Sequence, residues 1–301
     1  MTSKYSNFFE PQVAARLGRL NIVARQAVEG FITGLHKSPH LGFAIEFAEH
    51  RQYTPGDDIR RIDWLAYART ERFYVKLHEQ QTNLRAQIIL DASNSMNYAS
   101  KKASVTKFQY ARYLAALLGY LMLAQQDAVG LSIFSDSLRE HFSPSARMSS
   151  LQRMFDSLER TECYGTTAMI DVLHELANRL RQRGLIIIIS DMLDEPEQIM
   201  RALRHFIFKK HQLIVFHLAD PAELEFPFES MSRFVDSETQ QQITTDPRQI
   251  RTEYLSSVNE FLSFYRKQCA EAGIEYTLAN TSQRYDQMLI KYLSMRKKII
   301  K

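Results

Sequence analysis

The chain has 301 residues, 45% of them hydrophobic, enough for one large domain or a domain with a smaller companion around a substantial core. Its 38 basic and 34 acidic residues leave a formal charge of +4, a mixed surface that speaks against a polybasic nucleic-acid binder. Two cysteines, Cys163 and Cys269, lie far apart and outside any CxxC spacing, which argues against a disulfide framework and a thiolate zinc site and points to the reducing cytoplasm.

The N-terminal stretch MTSKYSNFFEPQ lacks a basic start followed by an apolar run, so no secretory signal is read there. After Pro11, the apolar residues Val13, Leu17, Leu20, Val23 and Ala27 recur at three and four residues and predict an amphipathic helix. The pieces FAIEFAEH and RFYVKLHE then predict two strands flanking YTPGDDIRRIDWLAYART. Together these make a small α+β unit over residues 1–83.

From Leu84 the pattern changes to apolar strands alternating with helices. RAQIILD precedes a helix from about Val105 to Gln126, then come AVGLSIFS and LREHFSP. Helices at about Arg147 to Arg160 and Met169 to Arg183 precede LIIIISD, and QLIVFHLAD, a long helix and IEYTLAN follow. Runs of Ile, Leu and Val without polar alternation suit parallel strands covered on both faces, so residues 84–281 predict an α/β domain with a doubly wound, mostly parallel sheet. Asp246 and Pro247 open the long helix as N-cap and first turn, with Ile250, Tyr254, Val258, Phe261 and Tyr265 on one face and Gly273 past its end. A C-terminal helix is expected over 282–301. The longest wholly apolar segment, Tyr113 to Ala124, falls well short of the roughly 20 residues that span a bilayer.

An open α/β sheet binds ligands beyond the carboxyl ends of its strands. GxGxxG, GxxxxGK[ST] and GxSxG are all absent, so no glycine-rich phosphate cradle or serine-hydrolase elbow stands there. Instead, IILDASNSM ends a buried strand in Asp91, Ser93 and Ser95 at every second position. Alternate residues of an extended segment point the same way, and converging carboxylate and hydroxyl oxygens suit a hard cation such as Mg²⁺ or Mn²⁺. The competing reading is a plain turn or helix cap, which uses the same residue types. LIIIISD adds Ser190 and Asp191 at a second strand end, and YGTTAMIDVL places Thr166 and Thr167 at the start of a helix.

DASNSM, a later threonine at a helix start and IIISD are similar to the metal-ion-dependent adhesion site of von Willebrand factor A-like domains. That resemblance implies one divalent cation held by Asp91, Ser93, Ser95, Thr167 and Asp191, with Thr166 as the alternative threonine, and no catalytic residue. PGDDIRRIDWLAYART followed by FYVK resembles the signature of domain of unknown function family 58, whose members pair it with a von Willebrand factor A-like domain. Read on its own, that segment offers a turn at Pro55 and Gly56 and an Arg60, Arg61, Asp63 and Arg69 set for an ion-pair network or a partner surface.

The expectation is a cytoplasmic, non-enzymatic protein-binding module whose cation accepts a carboxylate from a protein partner. The family resemblance implies a MoxR-type AAA+ ATPase as that partner, an adaptor or chaperone-like role, and, since many relatives carry membrane-spanning segments not found in this sequence, a soluble short form. The alternative is a metal-dependent phosphoesterase, which the serine at position 93, where phosphoryl chemistry favours a second carboxylate, argues against. Nucleic acid is not expected as a partner.

Overall fold

A computed structural model describes residues 45–53, 67, 70, 72–80, 84–289 and 292. The predicted helix over Val13 to Ala27, the GDDIRRIDW segment with Arg60, Arg61 and Asp63, Arg69, and most of the predicted 282–301 helix lie outside the described residues. Two compact units divide between Asn83 and Leu84. In the smaller, β1 (Ile45–Gln52) pairs antiparallel with β2 (Tyr74–Gln80), with a register shift between Phe47 and Glu49. Beyond the ribbon's end, Phe73 stacks on Tyr67 with ring centroids 4.4 Å apart.

The larger unit is built on β3 (Arg85–Asp91), β4 (Ala128–Phe134), β5 (Leu138–Ser145), β6 (Leu185–Ser190), β7 (Gln212–Ala219) and β10 (Glu275–Asn280). The order is β10-β7-β6-β3-β4-β5, parallel throughout except for β5 at one edge. Helices cover both faces, which explains the uninterrupted apolar runs. In β6, Leu185, Ile187 and Ile189 join the core under α1 (Lys107–Ala124) and α2 (Met148–Arg160). Ile186 and Ile188 point the other way, into the core shared with α3 (Met169–Arg179), α4 (Pro196–Phe208) and α6 (Pro247–Glu271). This is the doubly wound, mostly parallel α/β fold expected from the strand pattern. Among the described residues no helix is long and apolar enough to cross a membrane.

Local signals place the helix ends. Thr106 caps α1 by accepting from the Gln109 amide at 3.1 Å, and the Gln109 side chain accepts from the Thr106 amide in return. Asp246 caps α6 through the Arg248 amide, and Gly273 takes φ +69 past its end. The predicted apolar face of α6 is the covered one: Tyr265 is buried and Ile250, Tyr254, Val258 and Phe261 are half-buried, with the fully buried Leu262 and Cys269 toward the C-terminal half and the half-buried residues toward the start. There Tyr254 packs on Phe226, at the end of the short α5 (Pro221–Glu225), with ring centroids 4.3 Å apart. The hairpin of β8 (Ser232–Val235) and β9 (Gln242–Thr245) was not anticipated: its two four-residue strands are half-exposed or exposed and give no periodic signal.

One buried carboxylate stands at the junction of α1 and β4. Burial raises the Asp127 pKa to about 6, against the partial relief of accepting from the Leu84 amide at 2.9 Å. The folded state therefore takes up a proton near pH 6 and the unfolded chain only near about pH 4, so this group adds stability as pH falls through that window. Asp127→Asn keeps an acceptor for Leu84 and removes the titration. In urea denaturation the wild type is expected to gain about 1 kcal/mol on the variant between pH 7 and pH 5; parallel pH profiles contradict this.

Candidate metal centre

Strand order fixes where a ligand belongs. From β3 the chain builds outward through β4 to β5, and from β6 it builds the opposite way through β7 to β10, so the reversal lies between β3 and β6. At such a switch point the flanking loops part and leave a crevice at the carboxyl edge. β3 ends there in Asp91 and β6 ends in Ser190, with Asp191 next. The two strand ends are tied together: the Ser190 hydroxyl donates to Asp91 Oδ2 at 2.7 Å, while Asp91 Oδ1 accepts from the Ser93 amide at 2.9 Å.

Ser93 and Ser95 bring their hydroxyl oxygens to 3.0 Å from each other, and both residues are buried. The route differs from simple strand alternation. Ser93 is extended, but Asn94–Asn97 is a 3-10 turn, and it is this turn that swings Ser95 back beside Ser93. The threonine loop is stitched to the same turn, since Asn94 N donates to Gly165 O at 3.1 Å and Tyr164 N to Ala92 O at 3.3 Å. Gly165 takes φ +76 to make that approach. Arg139 holds the loop from outside, donating to the carbonyls of Glu162 and Tyr164 at 2.8 Å each. Thr166 is exposed; Thr167 is half-buried, and its Oγ1 is buried with no hydrogen-bond partner among the described residues.

A buried cation of the chain's own completes the surroundings. Lys107, 1% exposed, donates to Asp191 Oδ2 at 2.8 Å and to Glu223 Oε1 at 2.6 Å. Burial pulls the ammonium's pKa down, but the Asp191 and Glu223 carboxylates outweigh it and hold Lys107 above its ordinary value. For Asp191 burial acts upward and is outweighed by Lys107, with help from the Ser95 hydroxyl, so it stays below the usual carboxylate range. Among the described residues Asp91 has no such cationic partner: burial, reinforced by the negative charge of Asp191, pushes it up to about 7. A carboxylate pair this crowded and dry is an electrostatic environment that a cation relieves. Strain sits beside it, for Met192 is a buried non-glycine residue at φ +57, held by its amide on Ser190 Oγ and by Tyr265 Oη on its carbonyl.

Among the described residues no three His, Cys, Asp or Glu side chains form a metal-holding group, so any cation here depends on hydroxyls as well as on two carboxylates. The donor set fits one: hard oxygens from Asp91, Ser93, Ser95 and Asp191, plus the unpartnered Thr167 Oγ1, whose burial without a hydrogen bond is unfavourable unless something meets it. Sequence reasoning missed Lys107, Glu223 and Glu238, whose Oε2 accepts from the Thr167 amide at 3.1 Å. Lys107 carried a usable signal: a lysine in the first turn of a helix faces the positive end of the macrodipole and needs an acidic partner. Glu223 is hidden as the third residue of a capping box begun by Asp220, and Glu238 sits in the plain polar stretch DSETQQ.

Residues 49–261 match the model of a family described as "Protein of unknown function DUF58". Uncharacterized proteins of Mycobacterium tuberculosis and Mycobacterium bovis are 27% identical over 221 residues, covering 72% of this chain and 68% of theirs. Among solved structures, conserved hypothetical protein BatB from Bacteroides thetaiotaomicron is similar at 17% identity and a TM-score of 0.47, over 71% of this chain and 99% of that one. The SpRpn10 VWA domain is similar at 13% identity and 0.39, over 69% and 95%.

Proposed function

The chain belongs to the DUF58 family, a family of unknown function, and we propose from the geometry of its own site that it is a non-enzymatic protein-binding module that uses a divalent cation. The reading is supported chiefly by Thr167 Oγ1, buried with no hydrogen-bond partner among the described residues, on the loop stitched to the Asp91–Ser95 turn at the sheet's switch point. When bound, Mg²⁺ would supply a positive charge with an exchangeable position for a carboxylate of a protein partner. Asp91 and Asp191 would hold the ion, and Ser93, Ser95 and Thr167 would complete the set with neutral oxygens that leave its charge incompletely neutralised. Ser190 holds Asp91 in place, and Lys107 plays the same part for Asp191. The site arranges oxygens for holding; the phosphoesterase alternative has no observation in its favour.

The partner proposed is a MoxR-type AAA+ ATPase offering an acidic residue, with the chain acting as an adaptor in the cytoplasm. Immobilised protein is expected to retain such an ATPase in Mg²⁺ and to release it in chelator, and Ser95→Ala should weaken retention while leaving the circular dichroism spectrum unchanged. Retention that is indifferent to chelator contradicts the metal-dependent reading.

A further inference from the structure

The β8–β9 hairpin reaches back to this same site. Its tip is a closed turn, with Asp236 Oδ1 accepting from the amides of Glu238 and Thr239 at 2.8 Å each and the Gln240 amide donating to the Asp236 carbonyl at 3.0 Å. The turn is anchored on the serine loop, where the side-chain amide of Asn94, the residue between Ser93 and Ser95, donates to the Ser237 carbonyl. Glu238 then places its carboxylate against the threonine loop: Oε2 accepts from the Thr167 amide at 3.1 Å. Oε1 is buried with no hydrogen-bond partner among the described residues, the same condition as Thr167 Oγ1.

A glutamate on a hairpin tip has water and many rotamers available to it. Folding inward to leave one carboxylate oxygen dry and unmet costs free energy unless a donor or a cation meets that oxygen. Two unmet oxygens on hydrogen-bonded neighbours, carried by a loop and a hairpin that both bond to Asn94 between Ser93 and Ser95, are a stronger observation than either alone. We propose that Glu238 is a further ligand of the divalent cation, supplied by the chain itself. It occupies the position that a partner's carboxylate would take, so the site is closed in cis and an incoming acidic residue must displace it. This rests on the metal-dependent reading above and adds to it a competitor built into the chain. The hairpin's anchoring on Asn94 keeps the competitor at high effective concentration, so a weak carboxylate ligand would be excluded and only a partner with additional contacts would open the site.

Mn²⁺ serves as probe. Its free concentration, read by electron paramagnetic resonance, gives affinity, and water-proton relaxation of the bound ion reports how many waters it carries. Compared with wild type, Glu238→Gln should bind Mn²⁺ about tenfold more weakly, with higher relaxation per bound ion because water enters the released position. Millimolar acetate should then lower the relaxation of the variant and leave the wild type unchanged. Glu238→Ala should behave alike. Binding abolished by Asp91→Asn yet identical in wild type and both Glu238 variants, in affinity and relaxation, overturns the internal-ligand proposal alone. Absence of saturable Mn²⁺ binding by the wild type overturns the cation reading and this proposal together.

Discussion

Replacing Lys107 by methionine is expected to cost the fold about 3 to 5 kcal/mol, the range for removing one partner of a buried ion pair. The side chain is 1% exposed and its ammonium lies between Asp191 and Glu223 at 2.8 and 2.6 Å. Methionine fills a similar volume, so the loss reports charge and not a cavity. What remains is a set of carboxylates, Asp91, Asp191 and Glu223, with no buried ammonium among them. Folding free energy from urea denaturation at pH 7 measures the effect. Glu223→Gln in the same chain should recover part of the loss, and so should Mg²⁺, because a cation held by Asp91 and Asp191 replaces the missing charge. A loss below about 1 kcal/mol would place Lys107 among weak surface-type pairs and contradict this account.

Gly130→Ala is expected to destabilise the protein by about 3 kcal/mol, at the upper end for overpacking a core strand. Gly130 lies in β4, where the pairing with β5 slips between Val129 and Leu131. A methyl group there would collide with the Phe142 carbonyl and the Gln87 side-chain oxygen, and it would stand 2.8 Å from the Pro144 nitrogen. None of these yields easily. Phe142 and Pro144 are backbone of the edge strand, and Gln87 is buried, with its amide donating to Ser132 Oγ at 2.9 Å. The irregular pairing is thus the reason a glycine stands in a strand otherwise rich in Val, Leu and Ile. A shifted midpoint in chemical denaturation checks the effect. Because Gly130 pairs with Gln87, toward the other end of β3 from Asp91, Mg²⁺ affinity should survive the substitution in conditions where the protein stays folded.

Particular residues show how far the sequence speaks. The strands LIIIIS and QLIVFHLA were legible because a parallel strand buried on both faces has no reason to alternate, and α1 was legible from its long apolar run through Tyr113–Ala124, while its capping box of Thr106 and Gln109 went unread. The convergence of Asp91 and Asp191 was legible as well: two apolar runs ending in acid, in a β/α alternation, must come to one edge of a sheet. Ser95 was read through the wrong geometry, since nothing in ASNSM distinguishes an extended segment from a 3-10 turn. Lys107, Glu223 and Glu238 were not legible as neighbours of the site. Lys107 to Asp191 spans 84 positions, and Thr167 to Glu238 spans 71. Such pairings depend on how α1, α5 and the β8–β9 hairpin settle on the sheet, and no local period encodes that. The stripe of α6 was legible from its period: Ile250, Tyr254, Val258, Phe261 and Tyr265 are half-buried or buried, while Arg248, Gln249, Arg251 and Thr252 around its start are exposed.

Titration of Mg²⁺ into the purified protein by isothermal calorimetry tests the central claim most directly. The wild type should show one saturable site per chain, and Asp91→Ala should show none while its circular dichroism spectrum is unchanged. No saturable binding by the wild type, or equal binding by the variant, would contradict the account.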